Sequence, residues 1–219
     1  MRAAGAPAPL RALGIGLLGA AAFSLLSFFY ADRQVAAWCR THVADGLHRA
    51  AEFVTGFGHA EIYLLPAAAV WLYCRWRVRK TPSAAYWPRR AHAAAFVFLS
   101  VAASGLTVDV VKAIAGRYRP SLYFSRGLYG FSPFSDHWAY NSFPSGHSQT
   151  AFAAMTALAA VAPPLRVPAL ILATMVAASR VLLAVHYLGD VTLGTWFGFA
   201  GTVLLGEFYR GRGIELRWR

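Results

Sequence analysis

The apolar positions of this chain fall in long blocks, not in the short alternations of a soluble fold. Residues 13–30 are apolar and rich in small side chains. Residues 62–73 form a second block, extended at its start by 58–61 and interrupted only by Pro66. Four more follow at 91–111, 147–163, 167–185 and 190–209. A helix needs about 20 mostly apolar residues to cross a bilayer, and several of these blocks approach or reach that length. The pattern predicts an all-α, polytopic membrane protein of six transmembrane helices. Residues 32–57 behave differently. Val35, Trp38, Val43, Leu47, Ala50 and Val54 recur at helical spacing in a polar background. That predicts an amphipathic helix lying in the membrane interface, with Trp38 and Phe53 as anchors.

The block at 13–30 also has the look of a signal peptide. It is long, however, and no small-x-small cleavage site follows Tyr30, so it reads as a retained first span. No internal repeat or compositional break divides the 219 residues, and a single domain over 1–219 is expected. The segment 113–142 reads as a long loop with many aromatics.

Composition supports the membrane reading: 58% of residues are hydrophobic and only 14% charged, with a mean hydropathy of +0.45. The net charge of +12 would point to nucleic acid in a soluble protein. Here most basic residues sit in short stretches between apolar blocks, where they set topology and meet anionic headgroups. No nucleic-acid reader motif is present, and no nucleic-acid partner is expected. Arg75, Arg77, Arg79, Lys80, Arg89 and Arg90 form the densest positive stretch. With Arg2, Arg11, Arg166, Arg210, Arg212, Arg217 and Arg219 they place both termini on the cytoplasmic side. Cys39 and Cys74 then lie on opposite sides and do not pair.

The candidate chemistry sits at the other ends of the blocks. Phe143-Pro144-Ser145-Gly146-His147-Ser148 precedes an apolar run. Ser145 is a natural N-cap, and the free N–H groups of a helix start favour an anion. Lys112 and Arg119 flank this stretch upstream, Arg180 and His186 downstream. Singly these residues are weak signals: a snorkelling lysine, a loop arginine, packing histidines. Arg180 is stronger, because a cation inside an apolar helix marks function. Asp109, one turn from Lys112, reads as its ion-pair partner. Asp136, His137 and Trp138 are further candidates for headgroup contact.

Together the blocks carry more. Lys112-(six residues)-Arg119-Pro120, then Pro144-Ser145-Gly146-His147, then Ser179-Arg180-(five residues)-His186-(three residues)-Asp190 resembles the three-part signature of the type 2 phosphatidic acid phosphatase (PAP2) superfamily in order and spacing. The resemblance implies an integral membrane lipid phosphatase with the helical core shared with haloperoxidases. It makes His186 the nucleophile that forms a phosphohistidine, Asp190 its orienting partner and His147 the general acid. Lys112, Arg119, Ser145, Gly146 and Arg180 would bind the phosphate, with Gly189 allowing the turn that makes Asp190 a helix cap. Three cations would take the role that a magnesium ion plays elsewhere, so no metal or other cofactor is expected.

The implied partner is a lipid phosphate at the outer face of a bacterial inner membrane: phosphatidate, phosphatidylglycerophosphate, undecaprenyl diphosphate or lipid A. Three other functions remain open on the sequence. A lipid-to-lipid phosphotransferase would use the same pocket. A transporter or scaffold would use Arg180 and Asp109 to line a path. A vanadate haloperoxidase shares the motifs, but the six apolar blocks and short chain argue against it. Oligomeric state, the choice between monophosphate and diphosphate, and an endoplasmic reticulum alternative for the location are likewise open.

Overall fold

The structure is a computed structural model that describes residues 8–135 and 137–218. Arg2, Asp136 and Arg219 lie outside the described residues. The described chain is helical, with eight α-helices of eleven or more residues and one of seven. They are α1 (Ala8–Tyr30), α2 (Asp32–His42), α3 (Asp45–Thr55), α4 (Glu61–Lys80), α5 (Tyr86–Ala115), α6 (Pro120–Arg126), α7 (Gly146–Val161), α8 (Arg166–Leu182) and α9 (Leu188–Gly211). Five segments are long and apolar enough to cross a membrane: 10–30, 45–80, 86–115, 163–182 and 188–211. The sixth apolar block, α7, has 16 residues and rises about 24 Å at 1.5 Å per residue.

The short α7 is the hub of the bundle, packed against α5, α8 and α9. Its Ala151, Ala153, Ala154 and Ala157 are fully buried. Small side chains let helices approach closely where lipid supplies no hydrophobic drive. The facing surface of α9 is built to match. A methyl on Gly198 would sit 2.9 Å from the backbone nitrogen of Ala153, and one on Gly194 3.1 Å from that of Ser145. Outside this core, α1 packs on α9 and α3 on α8.

Several boundaries differ from the sequence reading. The amphipathic stretch is two helices, because Val43 and Ala44 take extended backbone. Thr41, Val43, Asp45 and Gly46 crowd residues of low helix propensity at that point. The positive stretch Arg75–Lys80, beyond the end of the second apolar block, forms the last turns of α4. Arg and Lys are good helix formers and are favoured at a helix C-terminus by its dipole. The aromatic segment 113–142 is not wholly loop either: α6 starts at Pro120, a residue suited to the first helical position. Cys39 and Cys74 are both free and buried.

Candidate active site

The candidate residues collect at one end of the bundle, where α5 and α8 finish and α7 and α9 begin. Each is placed by a local device. Helix α5 ends on Gly116, whose φ of +59° closes the helix with an N–H to the Lys112 carbonyl at 2.9 Å. A side chain there would strike the Ser132 carbonyl. Lys112 therefore lies in the last turn of α5, and Arg117 and Arg119 lie just beyond it. The segment 116–142 is then pinned by backbone bonds: Arg119 N–H to Ala139 O at 2.9 Å, Ser132 N–H to Gly116 O at 2.8 Å and Ser142 N–H to Arg117 O at 3.0 Å.

Ser145 is the N-cap of α7, as its position predicts. Its hydroxyl oxygen accepts from the Ser148 N–H at 3.4 Å and from the Ser148 hydroxyl at 2.9 Å. Its own N–H donates to the Asp190 carbonyl at 2.9 Å, tying the start of α7 to the start of α9. Gly146 lets Lys112 lie close: a Cβ there would be 2.9 Å from Lys112 Nζ. The His147 ring meets the edge of His59 at 4.8 Å between centroids. Gly58 packs under it, and a Cβ there would be 2.7 Å from the His147 Cβ.

Arg180 and His186 are set by one helix terminus. The N–H of Ala184 donates to Val181 O at 2.8 Å and that of Val185 to Arg180 O at 3.2 Å. With Ala184 at φ +49°, this is a Schellman ending with alanine where glycine is usual. The His186 N–H also reaches Arg180 O at 3.2 Å. The five-residue gap between them is therefore the length of this turn. It also puts Arg180 in the last turn of α8.

Asp190 is not the cap of α9 but its third residue. Tyr187 is the N-cap, and its N–H donates to Asp190 Oδ2 at 2.9 Å. Gly189 serves close approach rather than a turn: a Cβ there would be 2.7 Å from the Ser24 hydroxyl of α1.

His186 is 2% exposed. Its Nδ1 faces Asp190 Oδ2 and the Ser142 hydroxyl, each at 3.5 Å. Its Nε2 lies 3.4 Å from Arg119 Nη1. A guanidinium only donates, so Nε2 is the lone-pair nitrogen and Nδ1 carries the proton. Burial pushes the His186 pKa down to about 4; Asp190 opposes this, while Arg119 and Arg180 add to it. Arg119 stacks on Trp138 at 4.1 Å and donates to the carbonyls of Trp138 and Asn141, both at 3.2 Å. Burial lowers its pKa to about 10. Arg180 Nη1 donates to Thr55 Oγ1 of α3 at 2.5 Å. Its buried Nε has no acceptor among the described residues. Lys112 Nζ lies 3.4 Å from the exposed Asp109 carboxylate, the expected pair.

Sequence reasoning missed the groups behind His186. Arg117 is buried between Asp190 Oδ1 at 2.5 Å and Asp32 Oδ2 at 2.6 Å. Burial works against its charge, but Asp190 and Asp32 outweigh it and hold the pKa above the ordinary range. Ser142 donates to Asp190 Oδ2 at 2.6 Å. Asp32 lies 85 positions from Arg117 and had only its place in an amphipathic stretch to mark it. Thr55 and Gly58 carried no signal at all.

The arrangement offers a buried imidazole lone pair among arginines, a second histidine and a lysine at a helix start. Residues 93–213 match the PAP2 superfamily. Two proteins named lipid A 1-phosphatase are similar to the chain. The one from Rhizobium etli is 38% identical over 120 residues, 55% of this chain and 52% of the relative. The one from Rhizobium johnstonii is 40% identical over 104 residues, 48% of this chain and 43% of the relative. The chain thus spans about half the length of the curated relatives it matches. The crystal structure of a transmembrane PAP2-type phosphatidylglycerolphosphate phosphatase from Bacillus subtilis shares the fold, with a TM-score of 0.66 at 24% identity over 93% of this chain and 96% of that one. With more than half of its residues matched to the family and a membrane fold to go with it, this chain belongs to the PAP2 superfamily and is an integral membrane protein with several transmembrane helices.

Proposed function

We propose that the protein is a metal-independent membrane phosphatase that removes phosphate from a lipid, with the 1-phosphate of lipid A as its first candidate substrate. The observation that carries the chemistry is the orientation of His186. Its proton-bearing nitrogen faces Asp190, and its lone pair faces the side held by Arg119. A neutral nitrogen there attacks phosphorus; the P–N bond forms as the P–O bond to the lipid breaks. His147 gives its proton to the leaving oxygen, then takes one from the water that cleaves the phosphohistidine. Arg119, Arg180 and Lys112 balance the charge on the phosphoryl oxygens, with Ser145 and Gly146 at the start of α7 completing the cradle. Asp190 steadies the imidazolium that forms. The choice of lipid A rests on the two Rhizobium relatives.

The 219 residues are read as one domain, with α7 as a sixth span and α2–α3 at the interface. Arg75, Arg77, Arg79, Lys80, Arg89, Arg90, Arg166 and Arg210 gather at the end opposite the site. By the positive-inside rule that end is cytoplasmic, and the site faces the periplasm of a bacterial inner membrane.

The test is phosphate release by detergent-purified protein from lipid A, phosphatidylglycerophosphate, phosphatidate and undecaprenyl diphosphate, with and without EDTA. Release from the lipid A 1-position that resists EDTA and is lost in His186→Ala is expected. A requirement for a divalent ion, or activity that survives His186→Ala, overturns the mechanism. Preference for another lipid overturns the substrate, and a phosphorylated lipid acceptor in place of free phosphate reveals a phosphotransferase.

A further inference from the structure

Behind His186 runs a chain of charges that reaches the first two helices. Asp190 Oδ1 accepts from Arg117 Nη1 at 2.5 Å, and Arg117 Nη2 donates to Asp32 Oδ2 at 2.6 Å. The other oxygen of Asp32 accepts from the Ser27 hydroxyl of α1 at 2.5 Å and from the Gly189 N–H of α9 at 3.1 Å. The side chains of Asp32, Arg117 and Asp190 are at most 1% exposed. Phe28, Tyr129, Phe131, Phe143 and Tyr187 surround the guanidinium with ring centroids 4.7–5.9 Å away. This aromatic wall keeps water out, so the charges act on one another with little screening.

The balance of these charges has a consequence for His186. Arg117 alone would cancel Asp190, leaving nothing to steady a positive imidazole. Arg119 and Arg180, the other charged groups that act on His186 among the described residues, would then oppose that positive charge unchecked. Asp32 answers Arg117. Two carboxylates and one guanidinium leave a net negative charge on the Asp190 side of the ring.

We propose that Asp32 and Arg117 are positioning residues for His186, Arg117 fixing the Asp190 carboxylate and Asp32 neutralising Arg117 so that Asp190 keeps its negative charge for the imidazolium. The pair acts when the ring becomes cationic, during phosphoryl transfer, and not when the lipid binds. It also makes the junction of α1 and α2 part of the active site, although no residue of α1 or α2 belongs to the three signature blocks. The proposal rests on the phosphohistidine reading above.

The test compares Asp32→Asn, Arg117→Gln and the double variant Asp32→Asn/Arg117→Gln, each purified in detergent and checked for monodispersity. Kinetics use whichever lipid the parent hydrolyses, and orthovanadate affinity by calorimetry gives a second readout that needs no turnover. Asp32→Asn is expected to lower kcat on the order of tenfold to a hundredfold, the effect of one buried charge, with KM within about twofold by the same reasoning. It should weaken vanadate by a similar factor. The double variant removes both charges, restores the single negative charge of Asp190, and is expected to recover kcat relative to Asp32→Asn. A merely structural network predicts the opposite, a double variant no better than either single one. Parent-like kcat in Asp32→Asn, or a double variant at or below it, overturns the proposal. If Asp32→Asn does not fold, the double variant decides alone. A kcat within about tenfold of the parent supports charge balance, and any greater loss refutes it. A parent that binds vanadate but releases no phosphate from any lipid counts against the phosphatase reading alone, and the vanadate series still decides the role of Asp32.

Discussion

Arg117 and Arg210 each hold a carboxylate oxygen at 2.5 Å, at opposite ends of the same bundle. The distance is equal and the meaning is not. Arg117 and Asp190 are buried with 1% and 0% of their side chains exposed, whereas Arg210 is 74% exposed and Glu207 31%. At the Arg210 end water screens the pair, and the three-residue spacing on α9 needs no fold to bring its members together. At the Arg117 end the three charges come from α2, the segment after α5, and α9, and only the folded bundle assembles them. A short ion pair is thus informative about function where burial has made it costly. Between these two cases stands Arg180, buried like Arg117, whose guanidinium meets a threonine and, among the described residues, no carboxylate.

Removing the guanidinium of Arg117 is the largest perturbation. Arg117→Met leaves two buried carboxylates facing each other, and breaking such a pair costs about 3–5 kcal/mol. Chemical unfolding in detergent micelles measures it. A change below about 1 kcal/mol, the range of surface pairs, would erase the distinction between the two ends. Arg180→Gln comes next and acts on another quantity. Loss of one preorganised donor to the transition state lowers kcat by about 10²–10³. Because Arg180 has no countercharge among the described residues, its removal relieves a buried cation that only a threonine holds there, and thermal stability is expected to stay level or rise. A variant that is both slower and markedly less stable would show that Arg180 holds the fold together.

This contrast also separates what the sequence reveals from what it conceals. Lys112, Arg119, Ser145, His147, Arg180, His186 and Asp190 lie in three compact blocks because each block is built at the ends of helices, the third joining the end of α8 to the start of α9. The spacing from Arg180 to His186 is the span of a Schellman turn, and that from His186 to Asp190 is the entry to α9. Local geometry of this kind leaves a mark in local sequence. The apolar blocks are legible for a similar reason: each follows the course of one helix, whether that helix has an exposed apolar face or, like α7, is enclosed by its neighbours. Asp32 had no such mark. Apart from Ser27, its partners are 85 and 157 positions away, and its neighbours in α2 follow the periodicity of an interfacial helix. Arg117 falls in the aromatic segment 113–142, and nothing in the sequence around it says which basic residues are buried. The break at Val43–Ala44 shows in the apolar spacing only as the five-residue step from Trp38 to Val43, among steps of three and four.

The smallest effect is expected at Arg210. In Arg210→Met the pair with Glu207 is lost, but both partners were already hydrated. Exposed pairs three residues apart on a helix are worth a few tenths of a kcal/mol. Stability should therefore move by less than about 0.5 kcal/mol, and phosphate release should match the parent, since Arg210 lies at the far end of α9 from Asp190. The measurement is the same unfolding titration used for Arg117→Met, run side by side, together with the release assay. A loss of stability comparable to that of Arg117→Met would mean that length alone sets the worth of these pairs. A drop in turnover at unchanged stability would mean that the two ends of α9 are coupled.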